Sequence, residues 1–382
     1  MIKTILPGSR FGEVRIPSSK SIMHRLLICA ALGQEKVSIR YDGLSRDIRA
    51  TADCLNALGA DIREGEKELC ITPIAEQKHT EKAVLPAGES GSTLRFLIPL
   101  AGALGRQADF HMEGRLSERP LAPFDQLLRE HGMSLRREGQ ILHSDGQLDG
   151  GMFRLPGNIS SQYFSGLLMA LPILSGESRL QTEGEMESAA YVQLTEEVLR
   201  MAEVRFDREN KSTWKISGCQ IPHLPQTVQA EGDWSNAAFF LCAAALSENG
   251  IRVGGLNPSS VQGDRQILQI LREFGAEIMT DQDCISVRQF FCFPAQAVNE
   301  CCCCFQPVRF FPAESACSGY SRCSLRTAAE DSQHRYKVRN RHGIDTEGAA
   351  GSLPDQDAVM VSHDLCTEFT ENLQNLPIAL NG

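Results

Sequence analysis

Short polar stretches that run straight into strongly apolar helices recur along the chain as far as residue 289. Ser18-Ser19-Lys20-Ser21 precedes IMHRLLICAAL, and Gly91-Ser92-Thr93 precedes LRFLIPLAGAL. Asn158-Ile159-Ser160-Ser161-Gln162 precedes YFSGLLMALPIL, and Gly232-Asp233-Trp234-Ser235 precedes NAAFFLCAAAL. Between these lies a second kind of element, an amphipathic helix that closes on a Gly or small residue and turns into a strand. It reads CLNALGADI, LLREHGMSL, VLRMAEVRF and ILREFGAEI. Both patterns return about every 70 residues, the mark of repeated supersecondary units. Gly59, Gly132 and Gly275 keep the beat, with Ala202 near the missing third glycine. No fifth copy appears where one is due, after about residue 305.

The 382 residues, 42% of them hydrophobic, suffice for two substantial cores. A net charge of −10 argues against a general nucleic-acid or membrane-surface binder, so an anionic ligand needs a local basic pocket. No apolar run approaches the ~18 residues of a membrane span. The opening MIKTILPGSRFGEV lacks the apolar core of a secretory signal, and a soluble cytoplasmic protein is the expectation. Cysteine usage changes abruptly at the tail. Residues 290–382 include Cys301-Cys302-Cys303-Cys304, a run that fits neither zinc nor disulfide spacing because adjacent side chains diverge. No metal site is expected. The tail has no polar-loop-to-apolar-helix start and no helix–glycine–strand ending. It reads as a stretch translated out of frame, in competition with a divergent domain or a disordered tail.

The helix starts carry the chemistry. Unpaired backbone N–H groups and a partial positive charge at a helix N-terminus suit phosphate or carboxylate. The plainer role of Ser, Asn and Asp there is capping. Four such loops in register can gather on one face of a repeat fold. GESGST lacks the Gly-Lys-Ser/Thr ending of a nucleotide-binding loop. Lys20 lies at the mouth of the first apolar helix, where an ammonium would face a bound anion. Arg25 and Arg95 sit within apolar helices and need partners. Arg115 and Arg119 bracket GRLSERP, and for Arg119 the alternative to anion binding is an ion pair with Glu118 or Glu113. Ser160, Ser161 and Gln162 offer two hydroxyls and an amide at one helix start. His24 has no matching acid or Cys nearby and reads as structural.

In order along the chain stand IPSSKSIMHRLLICAAL, GESGSTLRFLIPLAG, GRLSERPLAPFDQLL, LPGNISSQYFSGLLMALPIL, GEMESAAYVQLT and EGDWSNAAFFLCAAAL. Together, over about residues 2–289, they resemble the 3-phosphoshikimate 1-carboxyvinyltransferase (EPSP synthase) family. The related UDP-N-acetylglucosamine enolpyruvyl transferases fit less well, since GESGST has no Cys. The resemblance implies an α/β fold, a two-domain inverted α/β barrel-like arrangement of βαβαββ units joined by a two-stretch hinge. Residues 15–231 would form one complete three-unit domain. Residues 1–14 with 232–289 would form part of the second, leaving 290–382 as an anomalous Cys-rich tail. The active site of such a fold lies between the domains and closes on substrate.

The implied reaction moves the enolpyruvyl group of phosphoenolpyruvate to the 5-hydroxyl of shikimate 3-phosphate and releases phosphate, on the shikimate pathway of aromatic amino-acid biosynthesis. It implies no metal, no organic cofactor and a monomer. Lys20 is the implied catalytic residue and touches both substrates. Lys20, Ser21, Arg25, Ser160, Ser161, Gln162, Ser188 and Tyr191 are implied for shikimate 3-phosphate; Lys20, Gly91, Arg119 and Gln162 are implied for phosphoenolpyruvate. Glu89, Ala189-Ala190 and the VRF ending depart from the family pattern. The family's Lys-Glu-Ser-Asp-Arg and Asp-His-Arg motifs have no match in the tail, so no tail residue carries over. The alternative is a non-catalytic, truncated or frame-shifted product that retains only part of the shikimate 3-phosphate site.

Overall fold

The computed structural model describes residues 11–74, 82–247 and 249–289, with the short strands Val338–Arg339 and Asp345–Thr346. The expectations for residues 1–10 and for the four-cysteine run lie outside the described residues. Contacts divide the chain into two units, Met1–Cys292 and Phe293–Gly382.

The first unit opens with β1 (Gly12–Arg15), α1 (Lys20–Ala31), β2 (Val37–Arg40), α2 (Arg46–Ala57), β3 (Asp61–Glu64) and β4 (Glu68–Thr72). Next come β5 (Ala83–Gly88), α3 (Gly91–Ala103), β6 (Ala108–Met112), α4 (Phe124–Glu130), β7 (Met133–Glu138) and β8 (Ile141–Gly146). The third repeat holds β9 (Met152–Pro156), α5 (Ser161–Ala170), β10 (Glu177–Glu183), α6 (Ala189–Met201), β11 (Phe206–Asn210) and β12 (Thr213–Ser217). Then follow β13 (Thr227–Gln229), α7 (Trp234–Ala245), β14 (Ile251–Gly254), α8 (Ile267–Glu273), β15 (Glu277–Thr280) and β16 (Cys284–Arg288). In the other unit, the described strands β17 (Val338–Arg339) and β18 (Asp345–Thr346) pair antiparallel.

One sheet plan serves four times. The orders are β13-β2-β4-β3, β5-β6-β8-β7, β9-β10-β12-β11 and β1-β14-β16-β15. In each, the leading strand pairs parallel with the second and the other pairings are antiparallel. This is the βαβαββ unit. The second and third repeats are continuous in sequence, whereas the first sheet takes its leading strand from β13 and the fourth takes its own from β1. The chain therefore crosses twice between these sheets, side by side. Ser19 N–H donates to Glu231 O at 2.8 Å and Asp233 N–H to Pro17 O at 3.0 Å.

Helices that are apolar all round must be covered all round. Every residue of α1 from Ile22 to Ala31 is buried, as is every residue of α5 from Tyr163 to Ala170. α3 packs tightly on α5. Pro99 has no N–H for the carbonyl of Arg95, and a Cβ at Gly166 would come within 2.7 Å of that carbonyl oxygen. Only glycine lets the two helices approach this closely. The first three sheets wrap these helices around one core that includes Leu27, Ile39, Leu97, Phe110, Phe164 and Trp214. A second core gathers Ile16, Trp234, Leu241, Val253, Ile285 and Val287. There α7 buries a single face, through Trp234, Ala237, Leu241 and Ala244.

The amphipathic helices end on left-handed residues: Gly59 at φ 113°, Gly132 at 88° and Gly275 at 81°. In the third repeat the place belongs to Glu203 at φ 56°, one residue after Ala202. The turn survives without its glycine, at the steric cost of a Cβ in that region. Among the described residues no helix is long and apolar enough to cross a membrane.

Candidate active site

The repeat brings the N-termini of α1, α2, α3 and α5 together, and hydrogen bonds tie each to the next. Lys20, the first residue of α1, places Nζ 3.2 Å from Asp47 Oδ2 in the first turn of α2. Thr93 Oγ1, in the first turn of α3, lies 3.3 Å from the carbonyl oxygen of Asp47. Gln162, at the start of α5, accepts from Arg95 Nη1 at 2.5 Å and donates to Ser92 Oγ at 2.9 Å.

Gly91 opens α3 at the centre of this arrangement. A Cβ there would stand 3.1 Å from Arg119 Nη1, 3.3 Å from Arg95 Nη1 and 3.9 Å from Gln162 Oε1. Two guanidinium groups thus converge on a helix N-terminus. The ion pair foreseen as the alternative for Arg119 is not formed: Glu118 pairs with Arg115 at 3.2 Å. Among the described residues no carboxylate pairs with Arg119. Its turn is held from behind, where Arg137 donates to the carbonyls of Ser117 at 2.6 Å and Arg119 at 3.0 Å. Arg95 Nε is buried without a partner among the described residues. Unneutralised cations beside a helix N-terminus make a site for a carboxylate or phosphate.

Beside it lies the second predicted cluster. Ser160 caps α5, its Oγ accepting from Gln162 N–H at 3.4 Å, and Ser161 is buried as the first residue of that helix. Ser188 sits exposed and left-handed (φ 56°) at the start of α6, and Tyr191 is 43% exposed one turn further on. Arg25 lies beneath, 2% exposed. It donates to Thr195 Oγ1 at 2.7 Å, Ser21 O at 2.5 Å, Ser165 Oγ at 3.1 Å and Tyr191 O at 3.0 Å. These partners are all neutral. Burial pulls the Arg25 guanidinium down to about 10. The cation is solvated by the protein, and among the described residues no carboxylate pairs with it.

Capping differs between the helix starts. Ser90 and Asp233 cap as expected, accepting from Thr93 N–H at 3.2 Å and Asn236 N–H at 3.0 Å. Ser19 does not cap α1; it donates to Gln262 Oε1 at 3.1 Å. Asp233 is fully buried and also accepts from the backbone N–H of Lys20; burial raises its carboxyl above the usual range. His24 is buried, as its structural reading requires, and burial holds its imidazole well below the ordinary value.

Three groups in this cluster were not singled out for it by sequence. Arg95 had announced itself, as a charge inside an apolar helix that needed a partner. Asp47 and Asp233 gave no signal, because an acid in a first turn or at a cap reads as ordinary helix chemistry.

The sequence profile of EPSP synthase (3-phosphoshikimate 1-carboxyvinyltransferase) matches residues 7–301. The chain belongs to this family. Relatives named 3-phosphoshikimate 1-carboxyvinyltransferase include that of Clostridium kluyveri, 39% identical over 286 residues covering 74% of this chain and 66% of the relative. Those of Clostridium beijerinckii and Clostridium acetobutylicum are 38% and 40% identical, over 72% and 70% of this chain and 64% and 63% of theirs. The chain thus spans just under two thirds of the length of these relatives. Two solved EPSP synthase structures from Acinetobacter baumannii align with a TM-score of 0.61 at 23% and 22% identity, each over 74% of this chain and 65% and 66% of theirs. The fold is the two-domain inverted α/β fold of EPSP synthases, built from βαβαββ units.

Proposed function

We propose that this chain carries the reaction of its family, transfer of the enolpyruvyl group of phosphoenolpyruvate to the 5-hydroxyl of shikimate 3-phosphate with release of phosphate. The observation that supports this most is the convergence of Arg95, Arg119 and Gln162 on Gly91, tied through α2 to Lys20. In this reading Arg119 and Arg95 grip the anionic groups of phosphoenolpyruvate, and Gly91 leaves room for them. Ser160, Ser161, Gln162, Ser21, Arg25, Ser188 and Tyr191 hold shikimate 3-phosphate alongside.

The 5-hydroxyl oxygen gives up its proton as it bonds to C2 of phosphoenolpyruvate, while the methylene carbon takes a proton and becomes a methyl group; the hydroxyl's proton leaves with the phosphate released in the next step. Loss of that carbon's proton then expels phosphate and restores the double bond. Lys20 can supply the proton to the methylene carbon, and Asp47, 3.2 Å from its amine, holds that amine in place. Residues 15–231 serve as one domain. Residues 1–14 with 232–289 serve as part of the second, which closes over the site about the paired crossings. The same reading makes the protein a monomeric cytoplasmic enzyme of aromatic amino-acid biosynthesis.

The test is phosphate release from phosphoenolpyruvate by the full chain, with and without shikimate 3-phosphate. Release that requires both substrates is expected, with a raised KM for phosphoenolpyruvate in Arg119→Ala. Binding of shikimate 3-phosphate without any turnover would instead establish the non-catalytic reading, in which part of the site survives alone.

A further inference from the structure

Directly beneath the gathered helix starts runs a buried chain of polar side chains, none of them among the residues assigned to either substrate. His24 Nδ1 lies 2.7 Å from Thr51 Oγ1, Thr51 Oγ1 lies 2.7 Å from Thr93 Oγ1, and Thr93 Oγ1 lies 2.7 Å from Ser90 Oγ. None of the four is more than 2% exposed. The chain begins on α1, crosses α2 and ends at the cap of α3. Hydroxyls in an apolar core are costly unless paired, so this row is held together by its own bonds.

Its position is specific. Residues four apart on a helix share a face. His24 therefore lies one turn below Lys20, and Thr51 lies one turn below Asp47. Thr93 lies one turn into α3 from Ser90, which adjoins Gly91. Each link sits under a residue of the site.

Proton supply couples the links. A hydroxyl donates once. Thr93 Oγ1 is within reach of Thr51, of Ser90 and of the carbonyl of Asp47, which can only accept. If Thr93 donates to Asp47 O, then Thr51 must donate to Thr93 and His24 must donate to Thr51. The α2–α3 contact is in this way tied to α1 through a single row of hydrogens. We propose that His24, Thr51, Thr93 and Ser90 form a positioning relay that fixes the starts of α1, α2 and α3 against one another, and with them the Lys20–Asp47 pair and the Gly91 anion site. The inference deepens the proposed function and rests on it for the identity of the anion.

Thr51→Val keeps the shape of the side chain and removes two of the row's three bonds, those to His24 and Thr93, whereas Thr51→Ser keeps the hydroxyl. Two readouts are taken on the full chain. One is the rate at which an acylating reagent modifies the Lys20 amine, followed by mass spectrometry; the other is calorimetric affinity for phosphoenolpyruvate in the presence of shikimate 3-phosphate. In Thr51→Val, Lys20 modification should rise several-fold as Asp47 drifts, and affinity should fall about tenfold. Thr51→Ser should restore both. A Thr51→Val protein with a lowered Tm, but with wild-type labelling and affinity, would show that the row is packing alone and overturn the proposal. Should Thr51→Val fail to fold, Thr93→Val, which removes the links to Thr51, to Asp47 and to Ser90 Oγ but leaves the Ser90 cap in place, gives the same two readings. A wild-type chain that binds no phosphoenolpyruvate defeats the functional reading, and the Lys20 labelling then decides the relay by itself.

Discussion

Arg25 offers a separation of folding from binding, because its hydrogen-bond partners are neutral and among the described residues no carboxylate pairs with it. Burial pulls its guanidinium from the free arginine's range down to about 10. At roughly 1.4 kcal/mol per unit, keeping Arg25 charged opposes folding by about 3 kcal/mol. That penalty applies in full below pH 10 and is relieved only as the folded cation loses its proton above it. Four hydrogen bonds at 2.5–3.1 Å offset it.

Arg25→Met removes both sides of this balance and fills the same space. The polar partners left behind serve each other: Thr195 Oγ1 is 2.8 Å from Ser165 Oγ and 3.0 Å from Tyr191 O. The expected change in unfolding free energy is therefore under about 1 kcal/mol, as for other buried ions replaced by apolar groups. An anion arriving at Ser21 and Tyr191 supplies a counter-charge in the wild type but not in the variant. Losing a charged hydrogen bond of about 1.5–3 kcal/mol corresponds to roughly 10- to 150-fold weaker binding of shikimate 3-phosphate. Denaturant titration and calorimetry on the same preparations separate the two quantities. A variant destabilised by several kcal/mol that binds as the wild type does would mean that Arg25 is a structural bolt and not part of the site.

Gly91→Ala should leave stability unchanged or slightly raised, because alanine favours the helix by up to about 1 kcal/mol. It should weaken phosphoenolpyruvate at least about tenfold, because the new methyl group pushes on both guanidiniums; KM against Tm reads both effects. Glu203→Gly should stabilise by roughly 0.5–1 kcal/mol, the left-handed strain relieved less the entropy of a glycine, measured by denaturant midpoint. The depressed His24 imidazole stays neutral in the folded protein while it protonates near 6.5 in the unfolded one. Stability should therefore fall as pH drops below about 6.5, and from pH 7 to 5.5 His24 should account for roughly 1 kcal/mol. His24→Asn should remove that part of the slope, and an unchanged slope would show His24 protonated within the fold.

The repeat was legible because two patterns, apolar all round and apolar on one side, alternate with a fixed period, and each dictates how much of a helix must be covered. The helix starts were legible as chemistry for the same reason, since a charge within IMHRLLICAAL or LRFLIPLAGAL must find polar partners. Other features have no local signature. Nothing in the four residues GEVR says that β1 joins a sheet whose other strands lie beyond residue 250. Glu203 hides the third turn because its left-handed backbone is imposed by the flanking helix and strand, not by its own preference. The choice between Arg115 and Arg119 for Glu118 depends on a short turn whose shape the residue order does not reveal. Thr51, Thr93 and His24 read one at a time as ordinary core positions, and only the crossing of three helices turns them into a row.

The central claim is that the gathered starts of α1, α2, α3 and α5 are where both substrates sit. Chemical footprinting tests it in one experiment: lysine- and arginine-directed reagents are applied to the full chain with and without shikimate 3-phosphate and phosphoenolpyruvate, and modification is quantified residue by residue. Lys20, Arg95 and Arg119 should become protected when both ligands are present, while Arg63, exposed and paired with Asp61 at 2.8 Å, should not change. Undiminished modification of Lys20 and Arg119 at saturating ligand, or protection confined to other residues, would contradict the account.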